Sequence, residues 1–199
     1  MGRFKHLVDS EVGMKSFRTK YNIPPHVGVR YAAQGEWFDE RKTREVVIPM
    51  IAFIEGGMTI PMSTLTRNFL RFFRLSSTQC APNMFRVLGS IEALNERMNL
   101  NLTHHDVNWI YNLHNLKGLG YYLKSRYSAI RLIQCLPISN KGLKDDFLIF
   151  FGQWHDGLPC PVKEGTPSGG PIAKFYILTY TILPFPLLFA ITEMYFSWF

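Results

Sequence analysis

The amino-acid sequence predicts an α+β fold, in which a helical bundle of about three helices packs with a small antiparallel β-sheet. Stretches with the helical period of apolar residues come first, between Ser63 and His114. The pattern then becomes extended, in three strand-like segments and one turn signal: Tyr121 to Arg126, Ile130 to Leu136, Ser139-Asn140-Lys141-Gly142 and Phe147 to Phe151. A C-terminal hydrophobic helix is expected after them.

The composition divides the chain into three regions. Residues 1–45 are predicted to form a partly ordered basic arm with a short helix near Glu11 to Tyr21, because turn signals interrupt a mixed and charged sequence. Residues 46–167 are predicted to form the folded domain, which begins with an apolar run at Val46 that Gly56-Gly57 ends. Residues 172–199 form a hydrophobic segment.

The first predicted helix of the domain is capped by Ser63 and runs to about Leu75. Its inner face carries apolar residues at i, i+4, i+7 and i+8: Leu65, Phe69, Phe72 and Phe73. Its opposite face carries three arginines at matching intervals: Arg67, Arg71 and Arg74. The arginines are either a strip that contacts phosphates or an ordinary solvated helix face.

Two further helices are predicted after this one. Pro82 suits the first turn of the second helix, whose inner stripe is Met84, Val87, Leu88, Ile91, Leu94 and Met98. Thr103 and Asp106 are spaced as a capping box at the start of the third helix, which Gly118 and Gly120 end. The inner residues of the third helix are expected to be Val107, Ile110, Tyr111 and His114.

Positive charge is concentrated in the middle of the chain. Residues 60–144 contain eleven Lys and Arg against three acids, a net charge of +8 within a total of +7. Such a field attracts phosphate backbones or acidic membrane surfaces, although basic side chains can also simply solvate helix faces. The candidates for contact with nucleic-acid phosphates are Arg67, Arg71, Arg74, Arg86, Lys124, Arg126 and Lys141.

The acids and histidines of the sequence do not have the spacing that catalysis or metal binding would require. A strand-transfer enzyme requires three carboxylates that converge on two metals, and the central acids are Asp106, Asp145 and Asp146. Asp145 and Asp146 are neighbours and are expected to be solvated turn residues. His104 and His105 are expected at the surface, since no zinc-ligand spacing includes them. We therefore expect no catalytic residues, no cofactor and no metal site.

Three cysteines, Cys80, Cys135 and Cys160, cannot all pair with one another, and none belongs to a Cys-x-x-Cys motif. Reduced thiols in an intracellular protein are the expectation. Cys135 is expected to pack inertly in an apolar strand.

The hydrophobic C-terminal segment allows three interpretations. Eighteen residues without charge, Phe175 to Thr192, approach the length of about 20 needed to cross a bilayer, but Pro184 and Pro186 interrupt the helix. Residues 172–199 are therefore a membrane anchor, an unrelated tail from a truncated or misjoined reading frame, or a helix docked on the domain. The protein would be membrane-anchored in the first case, and nuclear or cytoplasmic if the tail does not insert.

Several motifs between Ile23 and Pro167 give the chain a resemblance to a known family. They are Phe53-Ile54-Glu55-Gly56-Gly57-Met58-Thr59-Ile60-Pro61, Gln79-Cys80-Ala81-Pro82-Asn83-Met84-Phe85-Arg86-Val87-Leu88, Tyr121-Tyr122-Leu123, Leu136-Pro137-Ile138-Ser139-Asn140-Lys141-Gly142, and Phe147 to Gly152 with Trp154. In their order these motifs resemble the gypsy-type transposase domain family of plant retrotransposons, which is gag-like.

The resemblance implies a retrotransposon-derived protein without enzymatic activity, which binds nucleic acid or self-associates. It carries no catalytic residues to this chain. One alternative is a tail-anchored membrane protein; another is a metal-dependent transposase or nuclease, whose activity would require Asp145 or Asp146.

Overall fold

The structure is a computed structural model, which describes residues 2–32, 45–116, 120–127, 132–137, 143 and 145–152. The predicted turn with Lys141 and the hydrophobic segment 172–199 lie outside these residues, as does the predicted domain boundary near Pro167. Among the described residues, no helix is both long enough and apolar enough to span a bilayer.

The described residues form helices and small antiparallel sheets, which confirms the α+β class. The helices are α1 Glu11–Lys20, α2 Met50–Ile54, α3 Thr64–Phe73, α4 Pro82–Met98 and α5 His104–Ile110, with short 3₁₀ turns at Lys5–Leu7 and Ser77–Gln79. The strands are β1 Gly28–Tyr31, β2 Glu45–Pro49, β3 Tyr111–Asn115, β4 Tyr121–Ser125 and β5 Phe147–Phe151.

The strands belong to two sheets. In the first, β5 lies between β1 and β2 and is antiparallel to both, so that Phe150 is opposite Val29 on one side and Val46 on the other. In the second, β3 and β4 form a hairpin with Leu113 opposite Leu123. The extended segments β4 and β5, predicted from one continuous pattern, therefore lie in different sheets.

The strand that was predicted between β4 and β5 is not confirmed. Its described part, residues 132–137, has no strand conformation. Cys135 is exposed and has a positive φ of 53°, which extended strands do not allow. The expectation that Cys135 packs inertly inside an apolar strand is therefore wrong.

The start signals of α3 and α4 are confirmed. The Ser63 hydroxyl accepts a hydrogen bond from the Thr66 amide at 3.1 Å, and Pro82 occupies the first turn of α4. The apolar stripe of α4 is buried at Met84, Val87, Leu88 and Ile91 and half-buried at Leu94 and Met98. Helix α4 packs against β4 of the second sheet, and α3 packs against α4 and α5.

Helix α5 begins as predicted and ends earlier. The Thr103 amide donates to Asp106 Oδ2 at 2.8 Å, and the Thr103 hydroxyl accepts from the Asp106 amide, which completes the capping box. The helix ends at Ile110, whereas the prediction carried it to near Gly118. The reason is pairing with β4: Tyr111–Asn115 is the partner strand in the hairpin, and its backbone is hydrogen-bonded there instead of along a helix.

The N-terminal region contributes to the same core. Phe4, Val8, Phe17 and Val27 are buried in the cluster that also holds the residues of α2, α3 and α4. β1 adds an edge strand to the first sheet. The packed core therefore begins well before Val46, where the sequence pattern placed its start.

Candidate nucleic-acid interface

Helix α3 presents a polar and basic outer face. Its buried residues are Leu65, Thr66, Phe69, Leu70 and Phe73. The opposite side carries Arg67 and Asn68, with Arg71 and Phe72 one turn later. Phe72, which was predicted to lie on the inner face, is 38% exposed, so an aromatic ring stands among polar groups at the surface.

The Phe72 ring belongs to a cluster with two histidines of α5. Its centroid lies 4.9 Å from that of His104 and 5.2 Å from that of His105, and the two imidazoles are 4.1 Å apart. His105 is exposed, as predicted, and His104 is half-buried. Burial lowers the pKa of His104, His105 lowers it further, and Asp106 opposes both effects. His104 is thus mainly uncharged at neutral pH.

A cleft of about 230 Å³ opens beside this cluster. Its walls come from α3, α4, the loop before α5 and α5 itself. All but one of the lining residues have a polar group in the side chain: Thr64, Leu65, Asn68, Glu92, Asn95, Asn101, Thr103, His104 and His105. Neither lysine nor arginine lines it in the part of the chain that the structure describes. The cleft thus combines hydrogen-bonding groups with little positive charge, while Arg67 and Arg71 lie outside it.

One wall of the cleft is held in place by Asn95. Its side-chain amide donates to the Leu102 carbonyl and accepts from the Leu102 amide, both at 2.9 Å. This pair of bonds fixes the loop that carries Asn101 and Thr103, and the capping box continues the ordered backbone into α5. The position of Asn101 is therefore determined by its neighbours.

Glu92 has an unusual place in the same cleft. Its Oε2 atom is shielded from solvent, and no donor among the described residues forms a hydrogen bond with it. An unpaired buried acceptor costs about 1–3 kcal/mol.

The other predicted phosphate contacts are dispersed. Arg74 follows the end of α3 in the left-handed conformation, with φ 52°, so that it leaves the helical arginine stripe. Arg86 donates through Nε and Nη2 to the Glu55 carbonyl at 3.2 and 2.7 Å. Arg126 donates likewise to the Asn108 carbonyl at 3.1 and 3.0 Å. Lys124 is exposed on β4, and Lys141 lies outside the described residues.

The central acids do not gather at one point. Asp106 caps α5, Asp145 is exposed, and Asp146 is 1% exposed with both carboxylate oxygens hydrogen-bonded. The expectation that Asp146 is a solvated turn residue is therefore wrong. Within the described ranges, no group of three or more His, Cys, Asp or Glu residues could hold a metal ion.

Comparison of the chain with protein-family models, with curated proteins and with solved structures gives no match.

Sequence reasoning selected Arg67 and Arg71 but missed Phe72, Asn68 and Glu92 as members of a site. A signal for part of it was present: three asparagines, Asn95, Asn99 and Asn101, come shortly before His104-His105. Amides and imidazoles so close together suggest a polar recognition surface, but the contribution of α3 appears only once that helix packs beside α5.

Proposed function

We propose that this chain binds single-stranded nucleic acid, without catalysing a reaction, through the face formed by Arg67, Arg71 and Phe72 of α3 and by His104 and His105 of α5. The observation that carries this proposal is the exposed Phe72 ring, which contacts two imidazoles of α5 on a helix that also carries Arg67 and Arg71. Proteins that bind single strands combine aromatic rings, on which bases stack, with cationic groups that follow the backbone.

Charge and exposure support the same interpretation. Arg71 is exposed and Arg67 is partly exposed, one helical turn apart, and the Arg67 guanidinium donates to the Thr64 hydroxyl at 3.3 Å. Guanidiniums that reach the surface in a basic region are suited to phosphate oxygens. A duplex would hide its base faces from Phe72, whereas a single strand offers them.

The resemblance to the retrotransposon gag-like family is compatible with this proposal, since it implies nucleic-acid packaging. Self-association and membrane contact through residues 172–199 are predictions from the sequence that involve other parts of the molecule.

The experiment measures fluorescence anisotropy of labelled single-stranded RNA and DNA, about 12 nucleotides long, within the range of sites that such proteins occupy. The salt concentration is varied between about 50 and 200 mM. We expect the variant Arg67→Ala/Arg71→Ala to bind more weakly at low salt. Its logarithmic salt slope should fall by about 1.4, or roughly 0.7 for each lost phosphate contact.

The matched control is Lys15→Ala/Lys20→Ala, which removes the same charge from exposed positions of α1. The control should retain most of the affinity. Absence of binding at low salt, or an equal loss in both double variants, would refute the proposed interface.

A further inference from the structure

We infer that a bound single strand runs from Phe72 along one face of α5 to Tyr127, whose ring forms a second stacking surface for a base. This inference rests on the proposed function, because it extends the same interface. The face around Phe72 concerns whether a strand is bound at all, whereas the extension concerns how far along the molecule that strand is held.

Two aromatic side chains on one face of α5 lead away from Phe72. The first is His105, whose ring centroid lies 5.2 Å from that of Phe72. The second is Trp109, which follows His105 by four residues and is therefore its neighbour on the same face, about 5.4 Å further along the helix axis. His105 is exposed and Trp109 is half-buried. The Phe72 site thus continues toward the C-terminal end of α5.

At that end Trp109 contacts Tyr127, which follows the last residues of the β3–β4 hairpin. The two ring centroids are 5.7 Å apart and the rings are tilted by 41°. Tyr127 is 42% exposed, similar to Phe72 at 38%, so that each end of the row presents an aromatic ring to solvent. We call these four residues, Phe72, His105, Trp109 and Tyr127, the α5 aromatic row.

Hydrogen bonds hold Tyr127 at the end of this row. The Arg126 guanidinium donates to the Asn108 carbonyl, and the Arg126 amide donates to the Ile110 carbonyl at 2.8 Å. Both carbonyls belong to the last turn of α5. The Ser125 hydroxyl donates to the Tyr127 carbonyl at 2.8 Å and accepts from the Tyr127 amide at 3.3 Å. The ring is therefore positioned before a ligand binds, which reduces the entropy that binding costs.

The chemistry of the row suits a single strand of nucleic acid. Aromatic rings that follow one another along a surface stack successive bases of a strand, whatever the sequence, because every base has a π-face. Arg67 and Arg71 share α3 with Phe72, and Lys124 is exposed on β4, three residues before Tyr127. The Cα atoms of Lys124 and Tyr127 are therefore at most about 11 Å apart. Cations thus accompany the rings at both ends of the row, where phosphates would need them.

The test measures the binding of a labelled single strand of about 12 nucleotides to the full chain at low salt by fluorescence anisotropy. We expect Tyr127→Leu to weaken binding about five-fold or more, because one stacked base is lost. Tyr127→Phe keeps the ring and should bind as the wild type does. Phe72→Leu/Tyr127→Leu should weaken binding roughly 25-fold or more, since losses at separate contacts multiply.

The matched control is Phe151→Leu, which removes a ring that is 40% exposed on β5 of the first sheet. This variant should keep the affinity of the wild type. Titration at high protein concentration should give one strand for each chain. A further measurement uses the unmodified protein and so does not depend on the folding of variants. In an NMR titration with the same strand, the Trp109 indole N–H signal and the His105 ring signals should shift together.

The outcomes distinguish this inference from the proposed function. Equal binding by the wild type and Tyr127→Leu overturns the extension along α5 and leaves the interface around Phe72 intact. An equal loss in Tyr127→Phe and Tyr127→Leu also overturns it, because the ring would then not be responsible. Two strands for each chain, or an unshifted Trp109 signal, overturns it as well. No binding of any strand at low salt overturns both proposals.

Discussion

The Tyr31 hydroxyl donates a hydrogen bond of 2.6 Å to the carboxylate of Asp146, 115 residues further along the chain. The other carboxylate oxygen accepts from the Phe4 backbone amide at 2.7 Å. The Asp146 carbonyl in turn accepts from the Met50 amide at 2.9 Å. One buried acid thus joins the N-terminal segment, β1, the start of α2 and the residue before β5.

Replacement of this acid should destabilise the fold. In Asp146→Ala two donors lose their acceptor, and we expect the free energy of unfolding to fall by about 2–4 kcal/mol. Asp146→Asn should cost less, because its amide still offers one acceptor and can donate to the Tyr31 oxygen. Urea titration measures the change. Asp145→Ala, at the exposed neighbouring position, should stay within about 0.5 kcal/mol of the wild type; equal losses at positions 145 and 146 would contradict the assigned role.

At Gly89 we expect a substitution to stabilise the fold. It lies in the middle of α4 and is exposed, and a Cβ added there would have no atom within 4 Å. Because glycine weakens a helix relative to alanine, Gly89→Ala should raise the free energy of unfolding by about 0.5–1 kcal/mol.

Gly120 serves as the control, because the same substitution does not fit at this position. Its φ is +128°, and a Cβ would lie 2.5 Å from the Gln79 carbonyl oxygen. Gly120→Ala should therefore destabilise the protein in the same urea titration. A Gly89→Ala protein less stable than the wild type would show that α4 is not an unobstructed helix at that position.

Buried Cys80 makes stability depend on alkaline pH. Burial raises the pKa of its thiol, which also donates to the Ser76 carbonyl at 3.2 Å. The folded chain therefore keeps this proton while the unfolded chain releases it above pH about 8.5. Stability is fully present below that pH and falls above it, by up to about 1.4 kcal/mol for each pH unit.

The slope can be measured by urea titration between pH about 8 and 9, below the range in which most tyrosines of the unfolded chain titrate. Burial also raises the pKa of Tyr111, to about 12, so its own loss of stability starts at about pH 10, where the unfolded tyrosine ionises. The slope should be smaller in Cys80→Ala, whatever the absolute stability of that variant. An identical slope in both proteins would mean that the Cys80 thiol is not protected in the folded state.

Local sequence patterns predicted the helices better than they predicted the sheets. Ser63 and Pro82 mark helix starts through effects within one turn, so that the starts of α3 and α4 could be found from the sequence. Tyr111 and His114 fit the apolar period of a helix as well as they fit a strand. Pairing with β4 decides between the two structures. The pairing of β1 and β2 with β5 joins distant segments, which no local pattern specifies.

In the candidate site, too, some residues could be found from local sequence patterns and others could not. Arg67 and Arg71 could be selected because charge and helical spacing are visible in the sequence. Glu92 could not, since an acid in the middle of a helix is normally a solvated residue. Its environment depends on the packing of α4 near α3 and α5, which shields one oxygen and leaves it without a donor among the described residues.

Phe72 gives the most direct test of how a strand would be held. If bases stack on its ring, Phe72→Leu should weaken single-strand binding about five-fold or more, since one stacked base contributes about 1–3 kcal/mol. Phe72→Trp should preserve or strengthen binding, because it keeps an aromatic face. The salt slope should be the same in all three proteins, since neither change removes a charge. Loss of affinity with an unchanged slope distinguishes stacking at Phe72 from phosphate contact at Arg67 and Arg71. Equal affinity of the leucine and tryptophan variants would exclude base stacking at Phe72.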